Sequence, residues 1–213
     1  MLTSRADSSL VVDQLCDQTR EHTAVTCFYF DFATRKEQTA TSVLGSLLKQ
    51  AISGMERVPG EIWWALEEQK KALSGRKPQS GDIIKMLQLI TLSQSTFMVI
   101  DALDECTAIQ RYRLFDSLKE ILAKSPGVRI FMTGRPYICA EIEIRLTGQA
   151  ISVPVCPTRE DIVQFLRIRL SEDETPDAMD DSLEAEILEK IPESISEMWV
   201  VAMTLRIPPR TVG

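Results

Sequence analysis

The chain is poor in the residues that most often announce a site. It has one histidine, His22, and its five cysteines, Cys16, Cys27, Cys106, Cys139 and Cys156, stand far apart with no C-x-x-C pair. Zinc-ligand spacing is absent, and so is the usual partner of a cysteine nucleophile. Free thiols in a reducing compartment are the expectation. Glycine is scarce where a phosphate cradle would need it: the first is Gly45, and no glycine is followed by lysine, so G-x-x-x-x-G-K-[S/T] occurs nowhere. No apolar run approaches a membrane span, and Met1-Leu-Thr-Ser-Arg-Ala lacks the apolar stretch of a signal peptide. A cytoplasmic protein without a membrane partner is expected.

A basic footprint is missing too. The formal charge is −7, from 24 bases and 31 acids. Between Ser171 and Glu197 lie 11 acids and one base, Lys190, and the remainder carries 23 bases and 20 acids. A nearly neutral body thus precedes an acidic segment, and neither has the dense positive patch of a nucleic-acid binder. The acidic segment reads as a solvated helical face in preference to a docking surface.

What is present is an ordinary globular composition, 44% apolar and 26% charged over 213 residues. That length supports one sizeable core, or one domain with a small appendage. Helical spacing marks Ser8–Arg20, with Leu10, Val11, Leu15 and Cys16 inward. It recurs over Thr39–Ile52, from Pro59 to Leu73, around Ile83, Ile84, Leu87 and Ile90, and over Ile109–Lys124 and Ile138–Leu146. Strands are expected at Ala24–Phe30, Thr96–Ile100, Val128–Thr133 and Ala150–Val155. The last third reads as helices at Arg159–Leu170, Ser182–Ile191 and Ile195–Leu205. Strands alternating with helices predict an open, mostly parallel α/β sheet.

Two strand ends carry chemistry. In Phe97-Met-Val-Ile-Asp-Ala-Leu-Asp-Glu-Cys106 an apolar strand delivers Asp101 to the carboxyl edge of the sheet, where ligands of open α/β sheets sit. An aspartate there suits magnesium, a small cation that prefers oxygen ligands. Asp104 and Glu105 follow within reach, and a glutamate at such a place can polarise water. The plainer alternative is that these acids favour the start of the next helix. In Arg129-Ile-Phe-Met-Thr-Gly-Arg-Pro136 a second strand brings Thr133 and Arg135 to the same edge, and Pro136 turns the chain away. Arg135 can meet phosphate charge, or be an ordinary surface arginine.

Phe28-Tyr-Phe-Asp-Phe32, Val43-Leu-Gly-Ser-Leu-Leu-Lys-Gln50, Val99-Ile-Asp-Ala-Leu-Asp-Glu-Cys106 and Thr133-Gly-Arg-Pro136 follow in order and spacing. Together they resemble NACHT-type P-loop NTPases, above all the nephrocystin-3-like N-terminal module of fungal NLR-like proteins. Ser8-Ser-Leu-Val-Val-Asp-Gln-Leu15 resembles the helix after that family's P-loop, and Met198-Trp-Val-Val-Ala-Met-Thr-Leu-Arg206 a later helix. The resemblance implies that Asp101 is the Walker B magnesium aspartate. It makes Asp104 and Glu105 a water-aligning acidic pair, and Thr133 and Arg135 sensor-like residues on the phosphate side. Gly134 stands where the family usually has serine, which would loosen that turn.

The implied fold class is α/β: an incomplete P-loop NTPase-type parallel sheet lacking its first strand and P-loop, over residues 1–157, then a small helical lid over 158–213. By the same resemblance the missing strand lies between those ending at Thr133 and Val155, leaving two unpaired edges. The expectation is a fragment of a longer product or a degenerate paralogue. The intact family uses magnesium with ATP or GTP; this chain, without the cradle, is expected to bind none and to be an inactive NTPase. Expected partners are homologous NACHT proteins, or an effector or repeat domain in a longer product. The other classes open to the sequence are a non-catalytic interaction module using Trp63 and Trp64, and an unrelated metal-dependent α/β enzyme.

Overall fold

The computed structural model describes residues 11–17, 23–55, 58, 60–73, 76–146, 150–155, 158–172, 181–195 and 200–206. The chain forms two compact units, one taking in Met1–Val153 and Val201–Gly213, the other Pro154–Val200. His22, Pro59, Cys156, Met198 and Trp199 lie outside the described residues.

In the first unit a helix over residues 11–17 (α1) precedes strand β1 (Thr23–Tyr29). Helices α2 (Ala40–Ser53), α3 (Gly60–Leu73) and α4 (Ser80–Ser93) follow, then β2 (Ser95–Asp101), α5 (Ala108–Lys124), β3 (Val128–Gly134) and α6 (Tyr137–Arg145). Cys16, expected on the inward face of α1, is exposed. The helix starts obey local chemistry. At α2 the Thr39 hydroxyl accepts from the Ser42 N–H at 3.1 Å, and at α4 the Asp82 carboxylate accepts from the Gln79 N–H at 3.0 Å.

β2 is the middle of a parallel trio. It pairs with β1 from Thr23↔Ser95 to Tyr29↔Asp101 and with β3 from Thr96↔Val128 to Ile100↔Met132. Met98, Val99 and Ile100 are fully buried, the continuous apolar run of a strand covered on both faces. Leu44 and Leu47 of α2, Leu87 and Ile90 of α4, and Leu114, Phe115 and Leu118 of α5 build the core with Met98 and Ile100. This is an α/β fold of incomplete P-loop type.

The outer edge of β1 is closed by a side chain. The Cys27 N–H donates to Gln50 Oε1 at 2.8 Å, and Gln50 Nε2 donates to the Cys27 carbonyl at 2.8 Å. One amide thus takes the place of a neighbouring strand residue.

The far side of the sheet departs from expectation. Ile195–Leu205 reads as helix, yet Val200–Arg206 is a strand, β5. It runs antiparallel to β3, from Gly134↔Val201 to Arg129↔Arg206. The strand order is β1-β2-β3-β5-β4, with β4 spanning Ala150–Val155. β5 therefore occupies the gap expected between the strands ending at Thr133 and Val155. A continuous apolar run fits helix and strand periodicity equally. What favours the strand is the edge of β3, whose N–H and C=O groups β5 pairs along its length, and Val200, Val201 and Thr204 suit a pleated backbone.

The second unit holds α7 (Arg159–Ser171) and α8 (Asp181–Ile195). Thr158 and Asp161 form a reciprocal cap at the start of α7. α8 runs past Ile191 to Ile195 with Pro192 inside it, a residue that has no N–H to donate to the carbonyl four positions back. On its described acidic part Glu186, Glu189 and Glu193 are exposed, as a solvated face requires. Among the described residues no helix is long and apolar enough to cross a membrane.

Candidate functional site

Parallel strands end at one edge, and this edge gathers the residues singled out above. Asp101, the last residue of β2, is fully buried. The Thr133 hydroxyl on neighbouring β3 donates to Asp101 Oδ1 and accepts from the Ala102 N–H at 3.0 Å. One hydroxyl thus fixes both the carboxylate and the first peptide beyond it.

Ala102 then adopts φ 55° and ψ 48°, the left-handed region that a residue with a Cβ enters at a cost of roughly 1 kcal/mol. This reversal lets the chain leave the strand as a tight turn, Leu103–Glu105. Its bonds are Glu105 N–H to Ala102 C=O at 2.9 Å and Cys106 N–H to Leu103 C=O at 3.2 Å. Leu103 is fully buried and pins the turn, while Asp104 and Glu105 stay partly open. Asp104 Oδ2 meets Arg135 Nε at 3.1 Å.

Gly134 lies at the end of β3, between the start of α6 and the acid turn. A Cβ added to it would lie 3.3 Å from Ile138 Cγ1, 3.5 Å from Leu103 Cβ and 3.6 Å from Asp104 Oδ1. Only the Ile138 approach would be tight; against the acid turn a Cβ would make ordinary contact.

Burial pushes the Glu105 carboxyl above its ordinary value, and neighbouring Asp104 adds to the rise; Arg135 opposes it, Asp31 raises it further and Arg35 offsets part. The end of β1 therefore contributes to the same electrostatic neighbourhood. Burial likewise pushes the Cys106 thiol up to about 11, so it stays neutral.

Asp101, Asp104, Glu105, Thr133 and Arg135 thus share one edge. They do not form a carboxylate cage: among the described residues no three His, Cys, Asp or Glu gather closely enough to hold a metal ion. Magnesium commonly takes one carboxylate and completes its shell with water and phosphate, and an oriented aspartate at a strand end fits that use.

Sequence reasoning missed Arg111 and Glu141. Arg111 is buried on α5, its Nε and Nη2 donating to the two Glu141 oxygens at 2.7 and 2.8 Å. The available signal was its place at helical spacing with the buried Leu114, Phe115 and Leu118. A charge on an apolar stripe needs a partner.

A parallel α/β sheet with its acid turn and arginine-bearing turn side by side defines the class, a NACHT-like module of P-loop type. Residues 7–135, more than half of the chain, match the family Nephrocystin 3, N-terminal. The chain belongs to that family, and the match takes in α1 to β3 and every candidate residue of the edge. No curated protein and no solved structure matches.

Proposed function

We propose that the chain is part of a nucleotide-dependent signalling switch of the NACHT type, as in fungal NLR-like proteins, and that by itself it neither holds nor hydrolyses ATP or GTP. The observation that carries this reading is the pairing of Arg135 with Asp104 beside the Thr133-oriented Asp101. In such a switch Asp101 would hold the magnesium of a magnesium–nucleotide, which neutralises phosphate charge. Thr133 keeps the Asp101 carboxylate in one orientation. Arg135, more than half exposed, can exchange the Asp104 carboxylate for a phosphate oxygen. Glu105, its carboxyl held above the ordinary range, is the better placed of the two acids to align a water. The missing element is the backbone cradle: without glycine-rich N–H groups and a lysine, most triphosphate binding energy is lost. The partner is then a homologous module or a further domain of a longer product.

The test is binding of labelled ATP and GTP with magnesium to the whole chain. No binding in the micromolar range is expected. Micromolar binding abolished by Asp101→Ala would overturn the claimed incompetence while supporting the site.

A second reading, a non-catalytic interaction module, rests on Trp63 and Trp64 of α3, which are 53% and 68% exposed. Capture of a partner that ignores added nucleotide and is lost in Trp63→Ala/Trp64→Ala would favour it.

A further inference from the structure

The acid turn is fastened to the chain beyond β3 at two points of opposite character. The outer fastening is the Asp104–Arg135 pair, whose arginine side chain is 59% exposed. The inner one is Arg111, whose side chain is 6% exposed. Besides its fork onto Glu141, Arg111 Nη1 donates to the Cys106 carbonyl at 2.7 Å and to the Leu103 carbonyl at 3.4 Å. Those two carbonyls bracket Asp104 and Glu105. Glu141 belongs to α6, which begins two residues after Arg135.

We infer that Arg111 is the positioning residue of this edge: with Glu141 it holds the turn bearing Asp104 and Glu105 in place whether or not Arg135 is paired with Asp104. Arg135 is then the moving part of the edge and the acid turn the fixed one. An exposed ion pair contributes little and yields to salt or a competing anion. A buried guanidinium that binds a carboxylate and two carbonyls at once does not let go, because the guanidinium and both carbonyls would be left without partners in a buried place. The turn needs such a clamp, since a single short 3-10 turn following a left-handed alanine has little stability of its own. Lysine cannot replace Arg111, being a point charge that cannot reach the carboxylate and both carbonyls together. What the fixed turn is aimed at depends on the switch reading above; the clamp itself does not.

Amide hydrogen exchange by NMR on the whole chain, without nucleotide, tests this. Arg135→Ala should leave the Glu105 and Cys106 amides within about twofold of the wild-type rate, as expected for loss of an exposed pair. Arg111→Lys should speed both by about tenfold or more, with the central β2 amides of Val99 and Ile100 unchanged, because only the clamp's charged hydrogen bonds are lost. Should Arg111→Lys fail to fold, Glu141→Gln, which keeps the size and one acceptor, should show the same local acceleration. The inference is overturned if Arg135→Ala releases the turn as much as Arg111→Lys does. It is equally overturned if Arg111→Lys restores wild-type exchange, or if turn and β2 amides accelerate together. Nucleotide plays no part in these measurements, so failure of the switch reading and failure of the clamp are told apart.

Discussion

At the scale of the residue, the edge is governed by what burial does to charge. Glu105 binds its proton more tightly in the folded chain than in the unfolded one, because burial and Asp104 disfavour its ionised form. The folded state therefore holds more protons in the window between the ordinary carboxylate value and the raised one. Stability contributed by this group is present below that window and is lost as the pH rises through it. Glu105→Gln should accordingly raise the thermal midpoint at about pH 7, with the gain shrinking toward about pH 4. Melting both proteins at the two pH values checks this, and a gain of equal size at both would contradict it. The same scale shows how much of the site was legible. Asp101, Asp104, Glu105, Thr133 and Arg135 stood out because acids or a polar pair end an apolar run. The Arg111–Glu141 clamp did not, since its members are separated by 30 positions and meet only through the packing of α5 on α6.

At the scale of the element, strand edges decide more than strand interiors. β1 lies at one end of the sheet, and Gln50 of α2 covers its outer edge at Cys27. Gln50→Leu keeps the volume but strips both hydrogen bonds, leaving the Cys27 N–H and C=O partly buried without that partner. A loss of about 1–3 kcal/mol in chemical denaturation is expected, together with concentration-dependent association as the edge opens. Unchanged stability and a strictly monomeric scattering profile would argue that the amide is ornamental. The helices themselves were readable from spacing and caps, and α2 to α6 fall where the periodicity puts them. Their starts, such as Thr39 and the Gln79–Asp82 pair, are local chemistry that needs no tertiary information.

At the scale of the whole molecule, the sheet is completed by its own later segment. Truncation after Ile195 removes β5 and leaves the facing edges of β3 and β4 without their neighbour. The shortened chain should melt at a lower temperature than the full chain and aggregate more readily, which calorimetry and light scattering would register. An equal midpoint would mean that β5 contributes nothing to the sheet. By itself the sequence determined the alternation of strands and helices, the parallel trio and the residues brought to its carboxyl edge. These follow from periodicity and from chain direction, which are local properties. Only the tertiary structure decided that Val200–Arg206 is a strand, and that Arg135 pairs with Asp104 while Arg111 clamps the turn. Each of those depends on which backbone edge or charge a distant segment meets, and a satisfied partner far along the chain leaves no periodic trace.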